Sequence, residues 1–334
     1  MSAKKERLAA SIAKEEIDRP PVTLWRHNFL REWSAEDLAD ETIGLYRRFD
    51  WDLIKLNPRW SYLPEAWGNQ YTPPLEQKFQ EETHRVVGKA SDLDSIETAD
   101  RQHASLLEQL DALERVVEEV GDEVDVIQTV FSPLSVVGLL AGGIGQPLVA
   151  YAEQNPKGLE RALNAVRETI SHHVSDALDR GASGIFFAPL QWTSLDVCGA
   201  AIYERFGRPH DLWVLERAQG AKLNVLHVCG NQIGLDRFLD YPVDLFSWDD
   251  RGRGNPSLLE VAGKTDRAVM SGVHHKRIHR MQRSELLATM EESIGHLRTG
   301  VVLAGGCAVG ALLEDEHMRS VRELADGIGS GVPG

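Results

Sequence analysis

Cysteine is scarce in this chain, with three residues in 334, Cys198, Cys229 and Cys307. A count that is both small and odd excludes a disulfide framework and fits a reducing compartment. Positive charge is also short: 36 Lys and Arg stand against 51 Asp and Glu, a formal net charge of −15. Nucleic acid or an anionic membrane would be repelled over most of such a surface, so neither is an expected partner. Small ligands remain, and a local basic pocket can still take an anion. No apolar run is long enough to span a bilayer. The longest, near Val126 to Ile144, is broken by Gln128, Thr129, Ser132, Pro133, Ser135 and several glycines. The N-terminal segment MSAKKERLAASIAKEEIDRPP is charged throughout and lacks the apolar core of a secretion signal, so a cytoplasmic location is expected. Repeats, linkers and low-complexity tracts are missing as well. The glycine-rich end GIGSGVPG reads as a frayed tail.

What is present is a 42% hydrophobic composition distributed in a regular way. Eight short runs rich in β-branched and apolar residues recur: Pro21–Trp25, Asp52–Leu56, Asp125–Phe131, Gly184–Ala188, Leu223–Val228, Asp244–Trp248, Ala268–Val273 and Val301–Gly305. Between them lie segments of helical period, clearest in Gln102–Glu119, Asn155–Asp179 and Ser284–Arg298. Strand alternating with helix predicts a parallel sheet, and eight units predict an α/β fold, a single (β/α)₈ TIM barrel over residues 1–334. A helix near Lys4–Glu16 is placed to close its bottom. The long excursion Arg59–Ala99 after strand two, with RWSYLPEAWGNQY, is read as a lid or wall over the C-terminal face, or as a surface hairpin. An open doubly wound sheet would want a glycine-rich phosphate loop after its first strand, and WRHNFLREW is nothing like one.

Catalytic groups of barrel enzymes project from the C-terminal ends of strands, so those ends form a candidate list. It contains Arg26, His27, Asn57, Arg59, Ser132, Gln191, His227, Cys229, Asp249, Asp250, His274, His275 and Cys307. On a strand, residues i and i+2 point the same way, so His227 and Cys229 can both face inward, and Cys307 can reach them across the barrel mouth. Two thiolates and an imidazole suit Zn²⁺, and three protein ligands with a fourth position open is the catalytic pattern. The competing reading leaves both cysteines as core and His227 hydrogen-bonded to backbone. Asp249 and His274 are the candidate acid–base groups, with Asp249 or Asp250 also available to orient His227. His274 and His275, beside Lys276, Arg277 and Arg280, form equally well a basic loop for an anionic substrate tail. Arg26, Asn57 and Gln191 are assigned to hold cofactor or substrate. Glu204 is a candidate fourth ligand or a surface carboxylate. Cys198 is read as buried and inert, and the helix histidines His172 and His173 as exposed. Trp25, Trp60, Tyr62, Trp67 and Trp192 line a pocket or pack the insertion onto the barrel.

The segments DLIKLNPRWSYLPEAWG, GASGIFFAPLQW, YERFGRPHD, NVLHVCGN and VVLAGGCAVG resemble the uroporphyrinogen decarboxylase superfamily over nearly the whole chain. The His-x-Cys pair followed 78 residues later by Cys307 is similar to the zinc motif of its methylcobalamin:coenzyme M methyltransferase branch. That resemblance implies Zn²⁺ on His227, Cys229 and Cys307, and methyl transfer from a corrinoid or other carrier to a thiol. The chain shows no corrinoid-binding module of its own, so a separate corrinoid protein is the implied partner if the carrier is cobalamin. A second copy of the chain, in a homodimer, is the other candidate partner. The decarboxylase branch has an arginine-rich RQAGR segment after strand one and an aspartate after strand two. Here only Arg26 of the first survives, and Asn57 or Pro58 stands in place of the acid. Porphyrinogen decarboxylation is the rival activity, and a non-catalytic binding barrel with structural zinc the third reading.

Overall fold

The computed structural model describes residues 2–143 and 145–329. Eight parallel strands form one sheet in the ring order first, eighth, seventh, sixth, fifth, fourth, third, second. They are Val22–Thr23, Leu53–Leu56, Asp125–Phe131, Gly184–Ala188, Val225–Val228, Leu245–Trp248, Ala268–Val273 and Val301–Gly305. Every residue in them is buried, as expected of strands packed on the lumen inside and on helices outside. The (β/α)₈ barrel expected from the sequence is the observed architecture.

The ring closes differently at one place. Between the first and second strands, Asp52 N–H donates to Val22 O at 2.9 Å, the Asp52 carboxylate accepts from Val22 N–H at 2.8 Å, and Thr23 Oγ1 donates to Leu53 O at 2.7 Å. One aspartate and one threonine thus replace rungs of a ladder. Beneath this seam Asp52 pairs with Arg19 at 2.6 Å and Arg7 at 2.7 Å. Arg7 lies on the helix Ala3–Ile12, whose Ser11 Oγ donates to Val301 O at 2.9 Å, so that helix closes the barrel bottom.

Helix Pro156–Asp179 begins where Asn155 Oδ1 accepts from Gly158 N–H at 3.0 Å, with proline in the first turn. The insertion after strand two contains a short helix, Tyr62–Glu65, and an antiparallel hairpin, Gln70–Thr72 with Glu81–His84. The loop of that hairpin docks on the loop following the first strand. Gln77 accepts from Phe29 N–H at 3.0 Å and donates to Asn28 Oδ1 at 2.7 Å, and Phe79 lies 4.7 Å from Phe29, ring to ring. The hairpin is therefore also a wall at the C-terminal face. The glycine-rich end departs from expectation, because the amphipathic helix Asp315–Gly329 runs through Gly327, and residues 330–334 lie outside the described residues. No helix among the described residues is long and apolar enough to cross a membrane.

Candidate metal centre

The inward face of the barrel is set by register. His227 pairs with Ser247, which pairs with Met270, so these side chains share the lumen side of strands five to seven. The lumen itself is documented by ring contacts around His227, one of them across the barrel. Trp25, just past strand one, meets His227 of strand five edge-on at 6.5 Å, and Phe186 of strand four stacks on His227 at 5.0 Å. Two residues beyond His227, Cys229 continues the same face to the rim.

There His227, Cys229 and Cys307 converge, with their ligating atoms all within 4.8 Å of one another. His227 is 4% exposed, and the two cysteines are half-buried. The thiols act as one unit. Their mutual hydrogen bond pushes Cys229 well above the ordinary thiol range and pulls Cys307 well below it, so the two titrate as a coupled pair. His227 also stabilises the Cys307 thiolate. His227 Nδ1 faces Ser247 Oγ at 3.1 Å, which leaves Nε2 as the nitrogen available to a metal. Ser247 holds the orienting place considered for Asp249 or Asp250. Neither aspartate reaches the imidazole, because Asp249 is engaged by Lys276 at 2.6 Å and Asp250 by Ser271 at 2.8 Å and Ser293 at 3.0 Å.

Backbone geometry fixes the two cysteines. The Thr193 hydroxyl donates to Cys229 O at 2.8 Å, and Asn255 Nδ2 donates to both Gly230 O and Asp249 O at 2.9 Å, tying the loops after strands five and six. Gly306 lets the Cys307 loop lie against Asp249, since a Cβ there would stand 2.5 Å from Asp249 Cα. Thr193, Ser247 and Asn255 were not singled out in the sequence. The available signal was that Ser247 lies two residues before Asp249 and twenty after His227, at the rung opposite the imidazole once strands are paired.

A cleft of about 420 Å³ opens beside the cluster, lined by Gln191, Ser194, Cys229, Asp249, His275 and Cys307 among others. Gln191 and Asp249 of the candidate residues are thus at the cleft. His275, rather than His274, contributes its wall. Its pKa is lowered by burial, so the ring is neutral at ordinary pH. His274 sits behind, near Arg251, with its pKa lowered by burial as well. Arg26 and Asn57 are elsewhere. Arg26 donates to Leu313 O at 2.8 Å and pairs with Asp315 at 3.2 Å, while Asn57 donates to Arg26 O at 3.2 Å. Arg59 is buried against Glu65 at 2.7 Å, and Ser132 caps a helix, so both are structural. Glu204 is exposed, 3.9 Å from Arg208, and belongs to no metal-binding group among the described residues. Cys198 is buried, donates to Trp192 O at 3.2 Å and is pushed up to about 11 by burial, as an inert thiol should be. Tyr62 and Trp192 are core, and Trp60 and Trp67 pack the insertion.

An eight-stranded parallel barrel with a sulfur- and nitrogen-rich cluster at its C-terminal mouth defines the class. The chain belongs to the uroporphyrinogen decarboxylase (URO-D) family, whose sequence model matches residues 3–326. No curated protein matches it in sequence. Among solved structures it is similar in fold to a methyltransferase from Methanosarcina mazei, at 18% identity and TM-score 0.77, covering 98% of this chain and 99% of that one. It is also similar to a putative vitamin-B12-independent methionine synthase from Listeria monocytogenes, at 14% identity and TM-score 0.58, covering 94% and 97%. A B12-independent methionine synthase from Shewanella sp. W3-18-1 gives 11% and 0.59, covering 92% and 96%.

Proposed function

We propose that this protein is a zinc-dependent methyltransferase that moves a methyl group from a corrinoid or other methyl carrier to a thiol. The observation that carries this reading is the cluster of two sulfurs and one imidazole nitrogen within 4.8 Å, bordering an open cleft. The donor set fits Zn²⁺, being soft, three-membered and convergent within 4.8 Å. Bound by His227, Cys229 and Cys307, zinc would supply the acidity that keeps a substrate thiol deprotonated near neutral pH. The chain's own residues do the rest. Ser247 orients His227, Thr193 and Gly306 position the two cysteines, and the Asp249–Lys276 pair with Gln191 and neutral His275 forms the wall against which the substrate is held. The fold likeness to a methyltransferase and to methionine synthases supports methyl transfer as the reaction class. Porphyrinogen decarboxylation is less well supported, because Arg26 is engaged by Leu313 and Asp315 and Asn57 replaces the acid that reading needs.

Metal analysis tests the reading first. About one zinc per chain is expected, lost in Cys229→Ser and in Cys307→Ser. Titration with small thiols should then add one sulfur to the coordination seen at the zinc X-ray edge, and methylcobalamin should methylate that thiol. A zinc-free protein that consumes uroporphyrinogen would overturn the proposal. An edge spectrum unchanged by thiol would mark the metal as structural.

A further inference from the structure

The segment following strand five carries a cation that none of the chemistry above uses. Arg237 lies in the short helix Leu235–Phe238 and forms no ion pair among the described residues. Two acids stand near it in sequence, yet Asp236 pairs with Lys264 at 2.9 Å and Asp240 with Arg208. The donors of Arg237 go to backbone carbonyls instead: Nη2 donates to Thr193 O at 2.8 Å and to Ile233 O at 3.2 Å, and Nε to Gly234 O at 3.4 Å. The guanidinium lies over the rings of Phe238 at 5.1 Å and Tyr203 at 5.6 Å, and the Tyr203 hydroxyl is itself fixed by donation to buried Asp211. A planar fork can meet carbonyls of two loops while stacked on aromatic rings, which the single point of an ammonium cannot.

Thr193 is where this clamp reaches the metal centre. It is fully buried, its carbonyl accepts from Arg237, and its hydroxyl donates to Cys229 O at 2.8 Å. Beside it Ser194 Oγ donates to Asn231 O at 2.6 Å and Leu195 N–H to Gln232 O at 3.0 Å, so the loop after strand four lies along the loop after strand five. Gln191 and Ser194 from the one loop, and Cys229 and Asn231 from the other, line the same cleft. Cys229 stands one residue past the end of strand five, so the sheet ladder no longer holds it and its sulfur moves with the loop. Resting on the metal-centre reading of the cluster, we infer that Arg237 is a positioning residue for Cys229, acting through the Thr193 bridge and never touching the metal.

The test reads the sulfur geometry by zinc affinity, from competition with a chelator, and by the visible absorption of the cobalt(II)-loaded protein. In Arg237→Gln zinc should bind about 10- to 100-fold more weakly, and the sulfur-to-cobalt band should change. Thr193→Val should do the same, while Thr193→Ser, which keeps the hydroxyl, should stay within about twofold of wild type. Because both residues act along one path, the double variant Arg237→Gln/Thr193→Val should lie within about twofold of the weaker single variant. Asp236→Asn, in the same helix, should change neither reading. In metal-stripped protein, iodoacetamide should alkylate Cys229 faster in Arg237→Gln than in wild type, followed by peptide mass. Should wild type take up no metal, the metal-centre reading fails and the alkylation rates still decide the role of Arg237. If Arg237→Gln does not fold, Arg237→Lys keeps the charge without the fork and should show the same changes in smaller measure. A folded Arg237 variant that matches wild type in affinity, spectrum and alkylation, or losses that add in full in the double variant, would overturn the inference.

Discussion

His173 shows how burial alone sets a side chain's charge. Its neighbour His172 faces solvent, as expected of both, yet His173 turns inward and is 2% exposed, 5.6 Å from the Tyr62 ring. Desolvation lowers its pKa from 6.5 to about 4. The unfolded chain therefore binds a proton there that the folded chain refuses between those two values. The stability tied to neutral His173 is complete above about 6.5 and is lost as pH falls toward about 4. His173→Leu should consequently gain on wild type as the solution is acidified through that window, read as the difference in urea midpoints at pH 7 and pH 4.5. A gap that stays constant with pH would show that His173 ionises freely in the fold. Lys55, buried in the second strand, has the same sense at higher pH, since burial lowers its folded pKa to about 7 and the cost of its buried charge is relieved as pH rises above that value.

At the scale of elements, the seam between the first and second strands is where the barrel depends on a charge. Asp52 is fully buried and holds Val22 N–H, Arg19 and Arg7 at once, joining two strands to the bottom helix. Removing one member of such a buried pair leaves the other charges uncompensated. Asp52→Asn should cost about 3 kcal/mol or more in chemical unfolding. It should leave metal content unchanged, because the cluster lies at the opposite end of the strands. The docking of the hairpin Gln70–His84 on the loop after strand one is a second such join, made by Gln77 and Phe79.

Considered as a whole molecule, the chain brings the candidate ligands His227 and Cys229 from strand five and Cys307 from beyond strand eight, so a metal held there would tie distant parts of the ring together. Zinc that binds the folded state alone stabilises it by RT ln(1 + [Zn]/Kd), about 4 kcal/mol at a thousandfold excess over Kd. Zinc added to metal-stripped protein should raise its unfolding temperature by several degrees, and Cys307→Ser should not respond. An equal rise in the variant would place the binding elsewhere.

The eight strands were legible in the sequence because strands buried on both faces must be continuous apolar runs, and the helix Pro156–Asp179 because its period, proline and Asn155 cap agree. The His-x-Cys spacing fixed which side of strand five those two residues share, since alternation is a local property of extended backbone. Other features belong to register and packing between segments far apart in the chain. Only the closed ring decides that Ser247 rather than Asp249 meets His227, that Lys55 points to the lumen beside the aromatics, and that Gly306 leaves room for Cys307. A local pattern sets the period of each element. Distances among side chains on different strands exist only once the sheet closes on itself.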